Sequence, residues 1–141
     1  MHYQPPAVIK QAPAIVTGDS IATGIGHNGR RGNTWSDAQW GRSPSSQLNL
    51  MTQRGQRHFS GRDVVLSTGI LNHTDWKSVR GQFEFLSLAS ARSVKVAGTP
   101  FPDMNQRLSS LCDEYGFVFL GGYQAGSDGI HPASYSGMIT E

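Results

Sequence analysis

Two segments far apart in this chain carry residue types able to do acyl-transfer chemistry together. Ser20 stands in Thr17-Gly18-Asp19-Ser20-Ile21, directly after the short apolar run Ala14-Ile15-Val16. A run of that kind, bounded by a glycine turn, fits a buried strand, and a hydroxyl at the carboxyl end of such a strand meets the N-terminal amides of a following helix. A serine hydroxyl is inert at neutral pH unless a base takes its proton. Of the five histidines, His131 is the best candidate for that base: it lies in Asp128-Gly129-Ile130-His131-Pro132, after the last apolar run. An aspartate three positions earlier on the same tight loop can accept the Nδ1 proton, which fixes the tautomer and leaves Nε2 free to face Ser20. Acyl transfer also needs donors for the developing oxyanion. The Ser20 backbone N–H, the Gly41 N–H and the Asn72 side-chain amide all fall at expected strand ends.

Positioning these groups requires a sheet. Asp63–Ser67 and Val94–Ala97 read as further buried strands, and Phe117–Leu120 as a fourth clear one. Between them, Ser43 caps a helix that starts at Pro44 and stops at Gly55. Thr74 or Asp75 caps a long helix to about Ser90, whose apolar members Trp76, Val79, Phe83, Leu86 and Ala89 recur every three or four residues. Pro102 and Asp103 open a third helix ending near Gly116, with Met104, Leu108, Leu111 and Cys112 inward. Strands alternating with amphipathic helices predict an α/β fold: a mostly parallel sheet with right-handed crossovers and helices on both faces. The stretch from Ser20 to Trp40 is rich in Gly, Asn and Arg and reads as weakly structured, with Ile21, Ala22 and Ile25 opening at most a short helix. Residues 1–13, with three prolines, read as an extended arm that docks on a protein partner, and 14–141 as one domain.

The blocks GDSI (Gly18–Ile21), GRSPSS (Gly41–Ser46), STGILN (Ser67–Asn72) and DGIHP (Asp128–Pro132) together resemble those of the SGNH, or GDSL-type, hydrolases, in the same order along nearly the whole chain. The resemblance implies a flavodoxin-like three-layer α/β/α sandwich of about five strands, no metal or organic cofactor, and ester hydrolysis through an acyl-enzyme. In it Ser20 attacks, His131 moves the proton, Asp128 orients His131, and Ser20, Gly41 and Asn72 hold the oxyanion. One block departs from the common G-x-N-D pattern: an extra residue separates Gly69 from Asn72, and His73 stands where that pattern has aspartate. The compact chain, its LSTG stretch and its Pro-rich arm are also similar to SGNH domains of bacteriophages, which implies a phage or bacterial source.

Composition narrows the alternatives. In 141 residues, 37 % apolar and 16 % charged, there is enough material for one core. A net charge of +2, scattered along the chain, gives no basic footprint for nucleic acid or an anionic membrane. The single cysteine, Cys112, reads as a buried thiol. There is no apolar run of about 18 residues and no Sec-type leader, so a soluble protein, cytoplasmic or virion-associated, is expected. His73 lacks a second ligand at suitable spacing, so no metal centre is expected. His27, Arg42 and His73 are expected to line the substrate site, with Asn28, Arg30, Arg31, Trp35 and Trp40 around it; His2 and His58 are expected to be solvated. The expected substrate is a small-molecule or carbohydrate ester, such as a carbohydrate O-acetyl group. The alternative is a binding or virion structural module on the same fold, with little turnover. A nucleotide-binding domain ranks last, for want of a phosphate-cradling glycine loop.

Overall fold

The computed structural model describes residues 14–29, 34–132 and 134, and of residues 26–29, 34 and 35 only the backbone. The arm 1–13 and residues 30–33, 133 and 135–141 lie outside the described residues. In chain order the elements are β1 (Ala14–Gly18), α1 (Ser20–Gly29), β2 (Thr34–Ala38), α2 (Pro44–Arg54), α3 (Gln56–Phe59), β3 (Asp63–Ser67), α4 (Trp76–Leu88), β4 (Ser93–Val96), α5 (Pro102–Tyr115) and β5 (Val118–Phe119). The five strands form one sheet in the order β2-β1-β3-β4-β5, and every pairing is parallel. This is the flavodoxin-like order.

Alternation along the strands divides the core in two. Ile15, Val64, Leu66, Val94 and Val96 point to one face, where Met51 of α2, Phe59 of α3, Val79, Phe83 and Leu86 of α4, and Leu108, Leu111 and Cys112 of α5 close over them. Val16, Val65 and Ala97 point to the other, covered by Ile21, Ala22 and Ile25 of α1. The central strands need apolar side chains on both faces, which is why they read as continuous runs. Burial pushes the Cys112 thiol up to about 12, leaving it a small core hydrophobe. Among the described residues no helix is long and apolar enough to cross a membrane.

The helix boundaries follow local chemistry. Ser43 caps α2 by accepting from the Ser46 N–H, with Pro44 in the first turn, and Asp75 caps α4 by accepting from the Ser78 N–H. Gly116 ends α5 in the left-handed conformation, φ 72°.

Two expectations from the sequence need correction here. The segment from Ser20 to Trp40 contains a ten-residue helix and a strand. Glycines at 24, 26 and 29 lower the intrinsic propensity of α1, but the buried Ile21, Ala22 and Ile25 hold it against the sheet. β2 pairs only with β1, so as an edge strand it can be written TWSDA without a hydrophobic pattern. His58, expected in solvent, is 1 % exposed and stacks edge-on against Phe59. Burial, aided by the nearby Arg62 and Arg54, lowers its pKa to about 4, so it is neutral at physiological pH.

Candidate active site

The end of β1 is built by crowding. Gly18 has φ 142°, and a Cβ at that position would lie 2.0 Å from the Ser67 carbonyl oxygen of β3, so no other residue fits. The next residue, Asp19, is 1 % exposed and caps α1. Its Oδ1 accepts from the Ile21 N–H at 3.1 Å and from the Ser67 hydroxyl at 2.6 Å. Burial raises its pKa, against the opposing pull of the Ser67 hydroxyl and the Ile21 and Ala22 N–H groups. With Asp19 as the cap, Ser20 is the first helical residue and its hydroxyl has no capping duty. Its N–H lies in the first turn, where no intrahelical carbonyl is available.

The Ser20 Oγ is 2.8 Å from His131 Nε2, across 111 positions of sequence. His131 Nδ1 is 2.5 Å from Asp128 Oδ2. The other carboxylate oxygen, Asp128 Oδ1, accepts from the Ile130 and His131 N–H groups, each at 2.9 Å. Those two amides and the ring hold the Asp128 pKa down at about 2, and half of its side chain is exposed, so the carboxylate is ionised at neutral pH. The loop that carries both residues is braced: Gly126 N–H donates to the His131 carbonyl at 2.7 Å, Ala125 bridges to Pro132, and the Tyr123 hydroxyl donates to the Ile130 carbonyl at 2.6 Å.

The other two groups expected as oxyanion donors, at Gly41 and Asn72, sit on two loops tied to each other. Gly41, φ 73°, is in a turn closed by the Arg42 N–H donating to the Gln39 carbonyl at 3.3 Å. On the neighbouring loop the Asn72 N–H donates to the Gly69 carbonyl at 2.9 Å, a four-residue turn that folds away the extra residue of this block. The Asn72 side-chain amide then returns to the sheet edge, 3.1 Å from the Arg42 carbonyl and 3.5 Å from Asp19 Oδ2. Gly69 is required here, because a Cβ would stand 2.6 Å from the Arg42 carbonyl oxygen.

Arg42, expected to touch substrate, turns inward. Only 8 % of its side chain is exposed, and Nη1 donates to the Asp37 carbonyl and to Gln47 Oε1 at 3.2 and 2.9 Å. It supports the Gly41 turn from beneath. Gln47, fully buried, continues the chain of bonds to Thr17 Oγ1 at 2.8 Å. Gln82, also fully buried, donates to the Pro44 and Thr68 carbonyls at 2.9 and 3.0 Å. Both glutamines escaped the sequence reading, although a polar residue at helical spacing among Met51, or among Val79, Phe83 and Leu86, was the available signal. His73 is exposed beside Asn72. The side chains of His27, Asn28 and Trp35 lie outside the described residues, as do His2, Arg30 and Arg31. Trp40, by contrast, is described: the residue is 73 % exposed, and its ring centroid is 6.1 Å from that of His131. Among the described residues no three His, Cys, Asp or Glu side chains group as metal ligands.

No family model and no curated protein matches the chain. Among solved structures it is similar to a GDSL-like lipase from Bacteroides thetaiotaomicron, with a TM-score of 0.70 over 98 % of this chain and 88 % of that one, at 14 % identity. The chain has the GDSL-type fold. At that identity the likeness is one of architecture, and the chemistry rests on the residues themselves. In the GDSL-type fold of this chain, the loops after β1, β2 and β3 and the loop after β5 meet at the carboxyl edge of the sheet, where open α/β sheets place their sites.

Proposed function

We propose that this chain is a serine-dependent hydrolase of acyl esters that works through an acyl-enzyme. The observation that carries the reading is the relay from Ser20 Oγ to His131 Nε2 to Asp128, at 2.8 and 2.5 Å. Ser20 Oγ attacks the ester carbonyl carbon while its proton passes to Nε2. The tetrahedral oxyanion is met by the Ser20 N–H, the Gly41 N–H and the Asn72 amide. As it collapses, the alcohol leaves with the proton from Nε2. Water then attacks the acyl carbon and gives a proton to His131, which passes it to Ser20 Oγ as the Oγ–acyl bond breaks and the acid leaves. Asp128 stays ionised throughout and stabilises the transient imidazolium.

The acyl group is small, such as acetyl. Among the described residues the donors sit on short, strapped turns without an apolar sheath. The other reading, a binding or virion structural module, gives no reason for a serine, a histidine and an aspartate to be held in hydrogen-bond register. A fluorophosphonate probe is the test: it should label the wild type at Ser20 and leave Ser20→Ala unlabelled. Turnover of 4-nitrophenyl acetate should greatly exceed that of the palmitate. No labelling and no ester turnover by the folded protein would overturn the proposal, and turnover of long-chain esters alone would overturn the small acyl group.

A further inference from the structure

Beside the relay, on the Gly41 side, is a hollow of about 340 Å³, at the lower end of the range of small-molecule sites, about 300–1,000 Å³. One wall is the exposed Trp40 indole. The other is a face of α2 made of Ser46, Asn49, Leu50 and Gln53, spaced i, i+3, i+4, i+7 so that they stand in one stripe. Ser46, Asn49 and Gln53 are exposed. Arg42 is the single charged residue lining the hollow among those described, and its guanidinium is engaged with Asp37 and Gln47.

We infer that this hollow is a subsite for a neutral pyranose, the alcohol half of the ester that Ser20 cleaves; the inference rests on the hydrolase reading for the word ester, but not for the binding. An indole face is electron-rich and meets the polarised C–H groups of a sugar ring. Carboxamides and a hydroxyl supply donors and acceptors side by side, which matches sugar hydroxyls, since each of those both gives and takes a hydrogen bond. An anionic ligand finds no free cation on the described walls. A long alkyl chain finds only Leu50 beside the indole. Trp40 also lies against the imidazole, at 6.1 Å between centroids, so a ring stacked there keeps its ester oxygens next to the base.

The test has a binding arm and a catalytic arm. In the binding arm, Ser20→Ala protein labelled with nitrogen-15 is titrated with xylotriose. The Trp40 indole N–H and the Asn49 and Gln53 side-chain amides should shift together at millimolar sugar, and Trp40→Ala should weaken binding about tenfold. In the catalytic arm, kcat/KM for O-acetylated xylotriose is divided by that for 4-nitrophenyl acetate. The ratio should fall several-fold in Asn49→Ala and Gln53→Ala, whose exposed side chains can be removed without disturbing the core. If those resonances stay still while the wild type turns over 4-nitrophenyl acetate, the sugar subsite is wrong and the hydrolase stands. If they shift but Ser20 is neither labelled nor active, the hydrolase is wrong and a sugar-binding surface remains.

Discussion

The Asn72 amide donates to the Arg42 carbonyl at 3.1 Å, so the turns that present two of the three proposed oxyanion donors are fastened to one another. Removing this side chain takes away a donor and the strap together. Asn72→Ala should lower kcat for 4-nitrophenyl acetate by about 10²–10³, while the melting temperature changes little because the Gly69–Asn72 backbone turn is kept. A kcat within tenfold of wild type would reduce Asn72 to a strut.

Asp128→Asn keeps the shape of the loop but favours the wrong tautomer of His131. The expected loss is roughly 10⁴-fold in kcat with little change in KM, read with the same ester. Retained activity would remove Asp128 from the relay. Because its folded pKa is depressed to about 2, the stabilisation it brings is present above its ordinary value of 3.8 and is lost only as pH falls towards 2. Any acid limb of the rate profile above pH 4 therefore belongs to another group.

His58 sets a different pH dependence. Its folded pKa is lowered to about 4 from 6.5. Between those values the unfolded chain binds the proton and the folded chain does not, so stability falls as pH drops from about 6.5 to 4. The loss is on the order of 3 kcal/mol, measurable by urea unfolding at a series of pH values. In His58→Leu that slope should flatten; an unchanged slope would assign it to other groups.

Gly18→Ala should be severely destabilising, by more than about 3 kcal/mol, because the new methyl group meets the backbone of β3 rather than a side chain able to move. Thermal unfolding of Gly41→Ala should show the smaller loss, since there a Cβ meets nothing within 4 Å and only the positive φ opposes it, whereas at Gly18 a φ of 142° and crowding act together. Equal losses in the two variants would contradict this account.

Much of this molecule is legible in its letters. The central strands and three helices are, because burial on two faces, a serine or aspartate cap and a terminal glycine each leave a mark on the chain. Ser20, Asp128 and His131 are marked in the sequence by type and order, and the fold brings the three within hydrogen-bond distance. What stayed hidden depends on neighbours distant in sequence. β2 has no pattern because it borders one strand only, and α1 is glycine-rich because packing, not propensity, holds it. His58 looks like a surface residue until Phe59 and Arg62 are placed around it. Arg42 reads as a substrate cation, and only the folded arrangement of Asp37 and Gln47 turns it inward.

The order of the relay along the chain has a consequence for synthesis. Ser20 and the imidazole it bonds are 111 positions apart, so a polypeptide growing from its N-terminus carries Ser20 without that partner until the DGIHP loop has been made. Translation that stops short of that loop leaves a product without His131 and Asp128, which on the proposed mechanism cannot consume ester however well its first strands fold.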